Sequence, residues 1–146
     1  MLRTAIAALT GLMLAGCGGA VNLRAGAPLL AGCEGASNCF STQAVEKDER
    51  LEPVTYVGTR EGAQQLMASI ITVTPGARVV DKQDGYIHGT YESDMLGFVD
   101  DLELRFPEGA KVIEMRIASR SVHPAFGVNR KRIADLRKAF LDLQPD

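Results

Sequence analysis

Between Ala77 and Arg120 the chain alternates apolar and polar residues through four runs, Ala77 to Lys82, Gly85 to Ser93, Phe98 to Phe106 and Lys111 to Arg120. A period of two is the signature of strands with one face buried, because successive side chains point to opposite sides of a sheet. Asp84-Gly85 and Pro107-Glu108-Gly109 separate the runs. Asp-Gly suits a hairpin turn, since glycine accepts the positive φ that such turns need. The alternation therefore predicts an antiparallel meander. Its apolar face collects Ile87, Tyr91, Phe98, Leu102, Leu104, Phe106, Ile113, Met115 and Ile117; its charged face collects His88, Glu92, Asp101, Glu103, Arg105, Glu114 and Arg116. The charged face is expected to be wet, with cross-strand ion pairs contributing a few tenths of a kcal/mol each.

Two segments switch to a helical period. Ala63, Leu66, Met67, Ile70 and Val73 recur on one side of a helix that starts near Arg60 and stops at Pro75-Gly76. Ile133, Leu136, Phe140 and Leu143 do the same after Asn129, which has the side chain of an N-cap. Val54 to Gly58, short and β-branched or aromatic, reads as one further strand. The order is β-α-β-β-β-β-α. An apolar sheet face and two apolar helix stripes bury one another most simply as an α+β two-layer sandwich, an antiparallel sheet with two helices on one face.

The N-terminus is organised differently. Met1-Leu2-Arg3 gives a positive start, Thr4 to Leu14 is uncharged and rich in Ala and Leu, and Leu14-Ala15-Gly16-Cys17 follows. That is a secretory signal layout, and the apolar run is about half of the roughly 20 residues that a spanning helix requires. The tetrapeptide resembles the lipobox of bacterial lipoproteins, which implies cleavage after residue 16 and lipid on Cys17. Two or three acyl chains of the palmitate class would hold a protein firmly on a membrane where one holds it only marginally. The next residues, Gly18 and Gly19, include no Asp at the second mature position, as in outer-membrane cargo facing the periplasm. Residues 17–32, rich in Gly, Ala and Leu without a sustained period, read as the lipidated Cys and a tether spanning on the order of 20 Å. A single domain is expected over 33–146.

With 16 Lys plus Arg against 18 Asp plus Glu, a formal charge of −2 and no Trp, the chain lacks the basic field that drives nucleic-acid binding. Four segments carry a resemblance: Ser37-Asn38-Cys39-Phe40-Ser41-Thr42-Gln43, then Gly97 to Phe106, Ala118-Ser119-Arg120, and Gly127-Val128-Asn129-Arg130-Lys131-Arg132-Ile133. In that order they resemble the domain of unknown function 1499 family, whose members are small envelope or organelle proteins, often membrane-associated. The chain departs from the family pattern just before Gly127, where members commonly carry Ser-Asp-Leu and this sequence has Pro124-Ala125-Phe126. The resemblance implies a fold and an envelope setting, and no activity.

Asp100 and Asp101 cannot act as a carboxylate pair, because neighbours on a strand face opposite sides. Asp100 falls on the apolar face, where a bare charge is costly, so it needs a partner, which would be Arg120, a helix N-terminus or another Arg, the alternative being a catalytic acid. Arg130-Lys131-Arg132 puts three cations in the first turn of the last helix, where the macrodipole favours anions. Arg130 and Arg132 are therefore candidates either for binding an external anion such as phosphate or a phospholipid headgroup, or for pairing with Asp100 or Asp94. Cys33 and Cys39 are a candidate disulfide in an oxidising envelope, the alternative being two free thiols; a lone Cys39 resembles the family motif more than the pair does. Their spacing is not that of a zinc knuckle, and His88 and His123 are too scattered to complete a metal site. No nucleophile elbow, P-loop or dinucleotide fingerprint is present.

The reading is an envelope lipoprotein with a non-catalytic binding domain and no cofactor, its partners being a membrane through the anchor and an envelope protein or lipid. The alternatives are a carrier of lipid or an apolar small molecule in a sheet–helix cavity, and a hydrolase with an unrecognised site. A large apolar pocket beneath the helices would favour the carrier; a filled core with a polar surface favours the binding module.

Overall fold

The computed structural model describes residues 29–94, 96–122 and 127–145. The expected signal segment, Cys17, most of the tether, His123 and Pro124-Ala125-Phe126 lie outside the described residues.

The four alternating runs become β3 (Ala77–Gln83), β4 (Tyr86–Glu92), β5 (Val99–Arg105) and β6 (Val112–Ser119), each antiparallel to the next. Two strands share the far edge of β6. β1 (Ser37–Ser41) pairs with its C-terminal half, Ser37 opposite Ser119 and Ser41 opposite Arg116, and β2 (Val54–Thr55) pairs with Ile113 and Val112. The path through the sheet is β1-β6-β5-β4-β3. β1 is an addition to the order read from the sequence. Its five residues, SNCFS, interrupt alternation with a register shift between Ser37 and Phe40 and with Asn38 at φ 49°, so no period of two is visible.

Both helices pack on the apolar face. α1 (Arg60–Val73) is capped by Thr59, whose side chain accepts from the Gly62 amide. It brings Met67, Ile70 and Ile71 onto Ile87, Leu102 and Leu104 in one core cluster. It lies close over Gly89, where a Cβ would meet the Arg78 carbonyl at 3.0 Å and Ile71 Cγ2 at 3.7 Å. α2 (Val128–Leu143) adds Ile133, Leu136 and Phe140 to the same cluster. Asn129 is not its N-cap: Gly127, in the left-handed region at φ 76°, holds that position without a side-chain bond, and Asn129 is buried as the second residue of the helix.

Residues 29–32, expected at the end of the tether, pack with the domain. Leu30 is buried, the Ala31 carbonyl accepts from Ser41 Oγ, and the Gly32 carbonyl accepts from Arg116 Nε. Cys33 is joined to Cys39 by a disulfide with the Cα atoms 5.5 Å apart, which pins this segment to β1.

Candidate functional site

Two polar clusters flank the end of β5, one on each face. On the helix side, Asp100 is only 3% exposed. Its carboxylate accepts from Ser119 Oγ, from Arg132 Nη1 and from Asn129 Nδ2, the last at 3.2 Å. Asn129 Nδ2 also reaches the Asn38 carbonyl at 3.0 Å, and its Oδ1 accepts from Arg132 at 3.0 Å. Arg132 further lies over the Tyr91 ring, 4.8 Å from its centroid. The cluster therefore joins β1, β5, β6 and the first turn of α2 through groups that satisfy one another. All four segments that carry the family resemblance meet here.

The three cations at the start of α2 do not converge on one anion. Arg132 goes to Asp100; Lys131 pairs with Asp135 at 2.5 Å; Arg130 stacks over Phe40 at 4.5 Å and donates to the Asp48 carbonyl. The helix geometry explains the split, since successive residues are turned by about 100° and point to different neighbours. Arg120 is not with Asp100 either. It lies on the opposite face, where its guanidinium holds both oxygens of Asp101 at 2.8 Å.

That face was expected to be wet, and at its centre it is not. Asp101 and Glu103 are each 8% exposed and His88 is 6% exposed. His88 Nε2 lies 2.8 Å from Asp101 Oδ1, Tyr86 Oη donates to Glu103 at 2.8 Å, Arg116 pairs with Glu103 at 3.0 Å, and Arg105 pairs with Glu114 at 2.8 Å. Long arginine stems lie across the sheet and exclude water from the shorter acids, so the face covers itself. The segment from Ala31 to Cys33 covers its β1–β6 margin.

Electrostatics follow from this packing. Burial pushes the Asp101 carboxyl up, but the hydrogen bonds from Arg120 and His88 outweigh it and hold the group well below the usual carboxylate range. Burial pushes the Tyr86 hydroxyl up, and the Glu103 charge raises it further. Burial likewise raises Tyr91. None of these groups is poised to exchange a proton near neutral pH. The Asp100 oxygens are taken up by Arg132, Ser119 and Asn129.

Sequence reading singled out Asp100 and Arg132, which the structure brings together, and Arg120 and Arg130, which it sends elsewhere. It passed over His88, Tyr86, Ser119 and Asn129 as site members. The alternation places His88, Asp101, Glu103 and Arg116 on one face; the diagonal reach of His88 to Asp101 and of Tyr86 to Glu103 was the missing step. Among the described residues, no group of three or more His, Cys, Asp or Glu is arranged to hold a metal ion.

A family model described as a protein of unknown function (DUF1499) matches residues 29–140. No curated protein and no solved structure matches the chain.

Proposed function

The chain belongs to the DUF1499 family of proteins of unknown function, and from that premise we propose that it is a lipid-anchored envelope lipoprotein whose α+β domain is a non-catalytic binding module. One observation carries the choice of a binding module over a carrier: the space between sheet and helices is filled. Met67, Ile71, Ile87, Leu102, Leu104, Phe106, Ile113, Met115, Ile117, Ile133 and Phe140 are each less than 2% exposed. A cavity able to take an acyl chain would leave its lining accessible to a water-sized sphere, and these side chains are not. Mutual neutralisation of the acids and cations supports the absence of catalysis, because a general acid or base needs a group free to take or give a proton.

The anchor rests on the signal layout and on Cys17, with the described domain starting 12 residues later at Leu29. No helix among the described residues is long and apolar enough to cross a membrane. The partner surface in this reading is the sheet face opposite the helices, where the acids are buried and paired and the half-exposed Arg120 guanidinium stands open to a partner.

Cys17→Ser tests the anchor. It should abolish acyl labelling and release the protein from the membrane fraction; unchanged retention overturns it. Native mass spectrometry of the released protein, taken from its own envelope, tests the module: a reproducible added mass supports it, and bare protein in every preparation counts against it.

A further inference from the structure

Three turns meet at the Asp100 end of the sheet. The Glu92 amide donates to the Gly76 carbonyl, the Ser93 amide to the Phe98 carbonyl and the Arg120 amide to the Val99 carbonyl. Because β3, β4, β5 and β6 are neighbours in the sheet, these bonds set the α1–β3 turn, the β4–β5 turn and the segment after β6 side by side. Each carries or adjoins a large apolar side chain left in water: Val73 is 80% exposed, Leu96 67% and Val122 91%. Val128, the first residue of α2, is exposed at the same end. None of the four belongs to the core cluster.

At the opposite end Val57, Leu141 and Leu143 are exposed too, the first two to less than half. They share that surface with Glu61, Asp84 and Glu108, whose side chains stand largely in water. Covering that end with an apolar medium would draw three carboxylates out of water, which is costly. At the Asp100 end, Asp94 shares its turn with Leu96. It limits contact to the depth of lipid headgroups, where a carboxylate keeps its water and an apolar side chain still gains.

Twelve residues separate Cys17 from Leu29. A coil of that length spans roughly 20 Å and keeps the domain near the surface that holds the anchor. Tethering raises the effective concentration of that surface to the millimolar order, so a contact too weak to recruit a free protein still forms. The chain joins the domain beside the middle of β6, since the Ala31 carbonyl accepts from Ser41 and Ser41 stands opposite Arg116. Ser119, at the Asp100 end, is roughly 10 Å further along the strand, well within reach.

We propose that the Asp100 end of the domain rests on the bilayer that holds Cys17, with Val73, Leu96, Val122 and Val128 entering the headgroup layer. The proposal rests on the anchor reading and adds an orientation to it. The strands run away from the membrane, the turns at Asp84 and Glu108 lie farthest from it, and the sheet face opposite the helices stays open to a partner from the side.

The test uses the full acylated protein, purified from its own envelope and reconstituted in vesicles of phosphatidylethanolamine and phosphatidylglycerol. Leu96→Cys, Val122→Cys, Val73→Cys and Glu108→Cys each supply one thiol for an environment-sensitive fluorophore, because Cys17 carries lipid in this reading and Cys33 is bonded to Cys39. All four positions are exposed, so none of the changes disturbs the core. Labels at positions 73, 96 and 122 should emit further to the blue than the label at 108, and should dim about twofold when the acyl chains carry bromine near the headgroup, an interfacial apolar group lying roughly 5–10 Å deep. The shift at position 73 should vanish when Leu96→Asp and Val122→Asp are combined with it. Water-like emission at both 96 and 122, equal quenching at 108, or an undiminished shift at 73 in the combined variant overturns the proposal. Acyl labelling of Cys17 is read on the same preparations. An acylated, vesicle-bound protein whose turns report water loses this contact and keeps its anchor, whereas a protein without acyl label loses the anchor and the contact with it.

Discussion

Asp100 and Asp101 stand on opposite faces of β5, and each is held by cations from a different element. Removing Asp100 strands Arg132 in a site closed by α2, β1 and β6, so Asp100→Ala should cost about 3 kcal/mol or more in urea denaturation. Asp101→Ala should cost less, about 1–2 kcal/mol, because Arg120 is half-exposed and recovers water, leaving chiefly His88 without its acceptor. The two carboxylates were legible as opposite-facing from the alternation alone. Which arginine each would take was not, since the reach of Arg120 and Arg132 depends on how the strands twist and where α2 starts. The Asp101 carboxyl also sets a pH dependence. Its acidity is increased in the folded state, so its stabilisation is present above the ordinary aspartate value of about 3.9 and is lost as pH falls below it. Denaturation curves taken between pH 5 and about pH 2 should show the wild type losing more stability than Asp101→Asn, while the two run parallel above about pH 5. Parallel loss throughout would mean that the carboxyl gains nothing from Arg120.

At the scale of elements, β1 shows what periodicity misses. Alternation registers a strand only when enough residues repeat it, and β1 has five, with a bulge and a left-handed Asn38 among them. What makes it a strand is the exposed edge of β6 and the disulfide that fastens Cys33 beside it. The long strands and both helices were readable because each repeats its period several times against one core. The start of α2 was misread for a related reason: Asn129 has the chemistry of a cap, but its amide is taken by Asp100 and the Asn38 carbonyl. Replacing Cys33 and Cys39 together with Ala should cost about 2 kcal/mol, the chain-entropy value for so short a loop. Faster amide exchange should then appear over residues 29–36 with little change in β4 and β5. Alkylation of the denatured, unreduced wild type should find neither of these two thiols.

For the whole molecule, the decisive property is that the space between sheet and helices is already full. Two helices lie on the sheet, and Ile71 of α1 packs with Ile87, Leu102 and Leu104 in the core between them. A domain of this layout becomes a container only when helices stand off or large side chains become small, and here Met67, Phe106, Met115 and Phe140 occupy the space. Phe140→Ala should therefore separate a filled interior from a latent container. It should lose about 3–5 kcal/mol, and it should open a dry, apolar hole that takes up benzene, seen as a rise in melting temperature with benzene present. The wild type should show no such rise with benzene or with oleate, because neither has a site in the native state to stabilise. A saturable, equimolar rise in the wild type with oleate would mean that the helices part to admit an acyl chain, and the carrier reading would displace the binding module.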